Sequence, residues 1–160
     1  MKAITSALLG VFLVVTSIAI AAGGASDPVI GTWKLDVAKS KFIHGPALKS
    51  DTRTYEESRD GTMKVTLRSV NSDGSETTLE RTFKQDGKDY PISDSSGVDS
   101  ISEMRINART ARYTEKKAGK AMLRGRRVLS RDGKRLTVIE TGTDATTGAK
   151  IEHTLVYDKQ

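Results

Sequence analysis

The stretch DGTMKVTLRSVNSDG (residues 60–74) carries the clearest fold signal in this chain of 160 residues. Apolar and polar side chains alternate from Met63 to Ser69, which is typical of a β-strand with one buried face. An Asp-Gly pair stands at each end of the stretch, and this dipeptide is a strong signal for a hairpin turn. The stretch therefore predicts a strand between two hairpins.

The same pattern of short strands and turns continues along the chain. Further turn signals are Asp86-Gly87, Ala118-Gly119, Asp132-Gly133 and Thr147-Gly148. The segments between turns predict strands at residues 29–35, 49–58, 77–83, 100–106, 110–116, 121–129, 135–141 and 149–158. Residues 37–41 predict a single helical turn and residues 93–98 a polar loop.

These strands predict an all-β fold, an antiparallel up-and-down meander of about 8–10 strands. A meander of this length closes into a barrel or folds into two packed sheets, because both arrangements protect its edges. We predict the barrel, with the sandwich as the alternative.

The N-terminus has the layout of a secretory signal helix. Lys2 precedes an apolar run over residues 7–22, and Ala19-Ile20-Ala21 and Gly23-Gly24-Ala25 offer small-residue cleavage sites. The run is shorter than the roughly 20 apolar residues of a spanning helix, which predicts no transmembrane anchor after cleavage. We expect residues 1–25 to be a removed signal peptide and residues 26–160 a single periplasmic or secreted domain.

Charge and cysteine content limit the partners. From Arg105 to Arg135 there are 12 basic residues and two acidic ones, so a basic region 105–135 could contact an anionic surface. Aromatic residues are only 5% of the chain, which argues against stacking of nucleic-acid bases. The chain has no cysteine, which excludes disulfides, thiolate metal sites and lipid attachment to a cysteine.

The opening GTWKL (residues 31–35) resembles the Gly-x-Trp start of the calycins, the superfamily of lipocalins and fatty-acid-binding proteins. LVYDK (155–159) resembles the final strand of fatty-acid-binding proteins. A further resemblance is to uncharacterised exported bacterial proteins that have the same opening and also contain DGKDYP, here residues 86–91. The resemblance implies a lipocalin-like barrel plugged by Trp33. Fatty-acid-binding proteins hold the ligand carboxylate with an Arg-x-Tyr motif in the last strand; here Tyr157 matches the Tyr, but Leu155 stands at the Arg position. Lipocalins commonly stack an arginine from near the C-terminus on the Trp. The final strand here has no arginine, so the candidate for that role is Arg135.

The candidate ligand site follows from this resemblance and from strand phase. Arg126 and Arg127 must face opposite sides of their strand, so we expect an interior arginine paired with a carboxylate, a ligand anion or lumenal water. Glu140 is the candidate protein partner. The predicted plug and lining residues are Trp33, Phe83, Arg124, Arg126, His153 and Tyr157.

Enzyme signatures are missing from the sequence. It contains no His-Glu-x-x-His or Gly-x-Ser-x-Gly motif, and only two histidines, His44 and His153. We therefore predict no catalytic residue, no metal site and no cofactor. Glu140 with His153 is the one acid/base pair that an enzyme hypothesis could use.

Two binding hypotheses remain ahead of the enzyme. The first is a barrel that binds a small hydrophobic or amphipathic molecule. The second is a non-catalytic envelope module whose region 105–135 contacts anionic lipid or polysaccharide. A lumen above roughly 300 Å³ would favour the first, and a packed interior the second.

Overall fold

Eleven β-strands make up almost all regular structure in the computed structural model, which describes residues 26–160. The strands are β1 Gly31–Leu35, β2 Lys41–His44, β3 Leu48–Glu57, β4 Met63–Asn71, β5 Glu76–Phe83, β6 Asp86–Pro91, β7 Ser100–Asn107, β8 Thr110–Lys117, β9 Lys120–Leu129, β10 Arg135–Thr143 and β11 Lys150–Lys159. The predicted signal peptide, residues 1–25, lies outside the described residues. Within residues 26–160, no helix is long and apolar enough to span a membrane.

The strands form one antiparallel sheet that curls into a nearly closed barrel. The hydrogen-bonded order is β5-β4-β3-β1-β11-β10-β9-β8-β7-β6, and β2 pairs with β11 beside β1. Neighbours in the sheet are neighbours in the chain, except that β1 pairs with β3 and that β1 and β2 both pair with β11. The sheet stays open between β5 and β6, which follow each other in the chain without a ladder between them. The predicted all-β antiparallel barrel is confirmed, and the sandwich is not formed.

The first strand is broken into two halves. β1 and β2 both pair with β11, at residues 157–159 and 152–154 respectively. Between them the backbone makes a 3₁₀ turn, Val37–Lys39, whose N-cap Asp36 accepts a hydrogen bond of 3.1 Å from the amide of Lys39. The same amide also donates to the backbone carbonyl of Asp36 at 3.3 Å, so the Asp side chain reinforces the start of the turn. The predicted helical turn is thus confirmed, two residues shorter than expected.

One predicted hairpin turn is wrong. Asp86-Gly87 begins the edge strand β6, and the register between β6 and β7 shifts from Asp86 to Asp89. Gly87 has φ of +79°, and the amide of Lys88 donates to the Asp86 carboxylate. The Asp-Gly pair therefore makes a bulge, which twists an exposed edge and hinders pairing with another sheet.

The end of the barrel near Trp33 is packed solid. Trp33, Leu136, Val138, Leu155 and Tyr157 are all buried there. The indole Nε1 of Trp33 donates a 2.7 Å hydrogen bond to the carbonyl of Val29, so this buried donor is satisfied.

The cation beside Trp33 comes from the final strand. Lys159 Nζ lies 5.2 Å from the centre of the indole, within the range of a cation–π contact. The prediction of Arg135 in this place is wrong: Arg135 is exposed and lies 3.6 Å from Asp158. Lys159 reaches the ring because it is the register partner of Trp33 between β1 and β11.

Candidate functional site

A cavity of about 440 Å³ occupies the end of the barrel opposite Trp33. The turn after β4, the loop after β6 and the turn after β10 surround its mouth. Its apolar wall comes from Leu67, Leu79, Leu123 and Ile151. Its polar lining includes two arginines and two glutamates, Arg53, Arg81, Glu115 and Glu140, together with residues of the surrounding turns such as Asn71, Asp73 and Asp144.

A smaller chamber of about 40 Å³ lies deeper in the barrel. It shares the same two arginines and two glutamates with the cavity. Three aromatic residues, Tyr55, Phe83 and Tyr113, line it as well, together with Val65, Leu67, Ile101 and Glu103. Its size suits ordered water or a small head group rather than the body of a ligand. The charged side chains therefore stand between an open cavity with apolar and polar walls and a narrow chamber.

Each of the three buried arginines holds two carboxylates. Arg127 Nη2 lies 2.8 Å from Asp27 and 3.0 Å from Glu103, near the packed end. Arg53 lies 3.1 Å from Asp51 and 3.3 Å from Glu140. Arg81 lies 3.0 Å from Asp94 and also bonds Glu115.

These clusters are acidic as a group. Three guanidinium groups face six carboxylates, and all nine side chains are at most 11% exposed. Buried charges need close partners because desolvation costs several kcal/mol per ion. Here the arginines are shared, so the interior has more negative groups than positive ones.

Tyrosine hydroxyls complete the cluster around Arg53. Tyr113 donates a 2.5 Å hydrogen bond to Glu140 Oε1, and Tyr157 donates a 2.6 Å bond to Asp51. Burial raises the pKa of both phenols well above 10.0, so each hydroxyl keeps its proton and acts as a donor. The guanidinium of Arg53 also lies 5.0 Å from the centre of the Tyr157 ring.

Burial and charge move the pKa values of the interior acids in different directions. Burial raises the pKa of Glu115 above its ordinary 4.5, although Arg81 opposes the shift. At Asp27 burial acts in the same upward direction, but the hydrogen bond and charge of Arg127 outweigh it and lower the pKa below 3.8. Asp27 is therefore a firmly ionised structural partner, whereas Glu115 is easier to protonate.

His153 and Glu140 are register partners on β11 and β10. Their Nδ1 and Oε2 atoms are 4.0 Å apart, beyond hydrogen-bond distance. His153 Nε2 is buried without a hydrogen-bond partner among the described residues, and the ring of Phe42 packs edge-on at 5.2 Å. Burial lowers the pKa of His153 below 6.5 and favours the neutral imidazole.

The six predicted plug and lining residues lie in four different places, and four of the six are inside the barrel. Trp33 and Tyr157 are in the packed core, and His153 is buried behind Glu140. Phe83 lines the small chamber. The structure thus places Glu140, Tyr157 and His153 in or beside the buried cluster around Arg53. The sequence pattern did not identify Arg53 as an interior arginine.

Arg124 and Arg126 do not face the lumen. Both side chains are exposed on the outer face of β9, and the interior arginine of this strand is Arg127. The prediction that Arg124 and Arg126 line the barrel is therefore wrong, because strand alternation turns them to the solvent side. The expected pairing of an interior arginine with a carboxylate does occur, with Asp27 and Glu103 as partners instead of Glu140.

The outer face of β8 and β9 carries an unpaired basic surface. Arg112 and Arg126 are direct register partners, and Arg124 stands one position along the same face of β9 from Arg126. None of these three guanidinium groups has a carboxylate within 4.0 Å among residues 26–160. Like charges placed directly opposite each other in a sheet are destabilising.

Several solved structures share this fold. A Schistosoma mansoni fatty acid binding protein in complex with arachidonic acid gives a TM-score of 0.60 at 14% identity, over 86% of this chain and 99% of that chain. The fluorescent protein UnaG gives 0.55 at 18% identity, over 82% and 96%. The zebrafish ileal bile acid-binding protein complexed with cholic acid gives 0.51 at 10% identity, over 83% and 99%.

These similarities concern the fold. They show the same antiparallel barrel in this chain, and at such identities they carry no residue of a binding site across. No protein-family model matches the chain, and no curated protein matches it either.

Proposed function

We propose that this protein binds a small hydrophobic or amphipathic molecule in the open half of its barrel. The observation that carries the proposal is the cavity of about 440 Å³ above the charged clusters, at the end opposite Trp33. Small-molecule sites commonly measure about 300–1,000 Å³ and combine an apolar wall with a few polar groups. This cavity has both properties.

The solved structures with the same fold support a ligand that is mostly apolar. Two of them were solved with arachidonic acid and cholic acid, both of which are largely apolar. In this chain Leu67, Leu79, Leu123 and Ile151 would contact such a body, with its polar group toward the buried charges. The apolar contacts supply affinity and the polar cluster selects the head group.

The test is a binding panel with a variant that fills the cavity. Thermal shift and calorimetry would compare fatty acids, bile acids, long-chain alcohols, isoprenoid alcohols and porphyrins with the purified protein. Leu79→Trp should weaken binding of any hit at least about tenfold, because the larger ring occupies the cavity. Thr78→Trp, one residue away on the exposed face, is the matched control and should bind like the unmodified protein. No hit in the panel, or equal binding by both variants, would refute the proposal.

Export is part of the same proposal. The signal-like segment 1–25 supports removal after Ala21 or Ala25, which would leave the barrel as a single periplasmic or secreted domain. The GTWKL opening supports a place among exported bacterial lipocalin-like proteins. Mass spectrometry of the protein recovered from the periplasm or medium would show a new N-terminus at Ala22 or Ser26, and an intact Met1 would contradict it.

The outer basic surface supports a second candidate, contact with an anionic envelope surface. The observation is that Arg112 and Arg126 face each other with no carboxylate partner, within a region rich in basic residues. Co-sedimentation with anionic vesicles, neutral vesicles and an acidic polysaccharide would identify the partner. Binding should fall between low and physiological salt, since exposed charges are screened over about 8–10 Å. Arg126→Gln should weaken it, and Arg59→Gln, which is exposed on the turn after β3, should not.

A further inference from the structure

We infer that the ligand of this barrel is a cationic amphiphile whose ammonium group sits between Glu115 and Glu140. The inference rests on the proposed function, since it concerns the head group of whatever the cavity binds. It departs from what the fatty-acid-binding neighbour would suggest, because the charges on this cavity wall favour a cation over a carboxylate.

The positive charge of each arginine in the wall is already shared between two carboxylates. Arg53 already bonds Asp51 and Glu140, and Arg81 already bonds Asp94 and Glu115. Arg53 keeps Nη1 and Arg81 keeps Nη2 as further donors, but neither has positive charge in excess. A ligand carboxylate would bring one more negative charge to a buried wall on which carboxylates already outnumber guanidinium groups. Burying a charge without its own counter-charge is strongly unfavourable.

The glutamates, by contrast, each offer a free oxygen. Glu140 accepts the bonds from Arg53 and Tyr113 at Oε1, whereas its Oε2 makes no hydrogen bond within residues 26–160 and lies 4.0 Å from Nδ1 of His153. Glu115 bonds Arg81 through Oε1, and its Oε2 has no hydrogen bond within residues 26–160. Both residues are about nine-tenths buried and line both the cavity and the chamber.

An ammonium group matches this arrangement in donors and in charge. It carries three N–H donors and no acceptor, so it can bond both free carboxylate oxygens. The two arginines at the wall face four carboxylates, and a cation reduces this excess of negative charge. Tyr55, Phe83 and Tyr113 line the chamber beneath, and their rings add cation–π attraction.

Three molecules with the same chain and different head groups test the inference on the unmodified protein. Calorimetry would compare decylamine, decanol and decanoate at neutral pH and below their aggregation concentrations. We expect decylamine to bind about tenfold more tightly than decanol, and decanoate to bind most weakly. Equal binding of the three, or a preference for decanoate, overturns the cationic head group and leaves the proposed function intact. No binding of any of the three overturns the cationic head group, whereas the proposed function is overturned only if the wider panel also gives no hit.

A charge-removing variant locates the head group. Glu115→Gln keeps the size of the side chain and should reduce the preference for decylamine over decanol to about equal affinity, with decanol binding unchanged. Glu152→Gln is the matched control, because Glu152 is exposed on the outer face of β11. If Glu115→Gln keeps the full preference for decylamine, the ammonium is not at this site. If this variant fails to fold, the comparison of the three molecules still decides the question.

Discussion

The ring of Tyr113 occupies the space that a side chain at Gly125 would need. The two residues are direct partners on β8 and β9, and a Cβ at Gly125 would lie 2.0 Å from Cζ of Tyr113. Glu140 is the partner of Gly125 on its other side. The missing side chain therefore lets the phenol cross over β9 and donate its hydrogen bond to Glu140.

We predict that Gly125→Ala lowers the free energy of unfolding by about 3 kcal/mol, at the upper end of the usual cost of overpacking. The methyl group would push the Tyr113 ring away from Glu140. Urea denaturation measures the loss. In a Tyr113→Ala background the same glycine substitution should be much less harmful, because the ring that it meets is gone. Additive effects in this double-mutant cycle would contradict the explanation.

The neighbours Arg126 and Arg127 should respond very differently to the same substitution. Arg127→Met leaves Asp27 and Glu103 buried without their shared cation, so we expect a loss of about 3–5 kcal/mol in unfolding free energy. Arg126→Met removes an exposed charge opposite Arg112 and should change stability by no more than about 0.5 kcal/mol. Chemical denaturation of both variants checks the pair, and similar losses would disprove the assignment of the two faces.

The alternation of apolar and polar side chains predicted most of the strands. In β9, however, it did not determine which face of the strand lines the interior of the barrel. In β4 all apolar residues near Met63 share a phase, so the buried face is unambiguous. In β9 Leu123 and Leu129 share the phase of Arg127, whereas Val128 shares that of Arg126. With apolar residues on both faces, local pattern cannot decide which arginine enters the barrel.

The partners of the buried charges lie too far along the chain for a local pattern to show them. Arg53 and Glu140 are 87 residues apart, and Arg127 and Asp27 are 100 apart. Arg81 shares a face with Leu79 and Phe83, which is a sign of burial, but alternation assigns only a face and never a partner. The strands β2 and β6 were not predicted, because most of their residues are exposed and show no alternation.

Neutral His153 should make the protein less stable in mild acid. The unfolded chain protonates this imidazole near its ordinary pKa of 6.5, while burial holds its pKa lower in the folded state. The unfolded state therefore binds more protons in this window, and stability is lost as pH falls through 6.5 toward the folded value. Urea midpoints at pH 7.5 and 5.5 should differ less in His153→Gln than in the unmodified protein. Parallel losses in both proteins would rule out His153 as the cause.

Binding of decylamine should weaken in acid because a proton competes for Glu115. Burial raises the pKa of this carboxyl above 4.5. The charge of Glu140 acts in the same direction, while Arg81 and Arg53 oppose the shift. Above the raised pKa the carboxylate attracts the ammonium, and below it the neutral acid does not. Calorimetric titrations over a pH series should therefore show decylamine affinity falling with pH while decanol affinity stays constant. Glu115→Gln should remove the pH dependence, and an unchanged slope would contradict this origin.

The pairing of β1 with β11 has a consequence for the timing of folding. β1 is the first strand of the barrel to be synthesised, and one of its two neighbours, β11, is the last. β1 can therefore pair with β11, and Trp33 can contact Lys159, only after β11 has been synthesised. Contacts between such distant parts of a chain form slowly. A nascent chain without residues 150–159 would keep the flank of β1 and the flank of β10 unpaired, so barrel closure must wait until synthesis of the domain is complete.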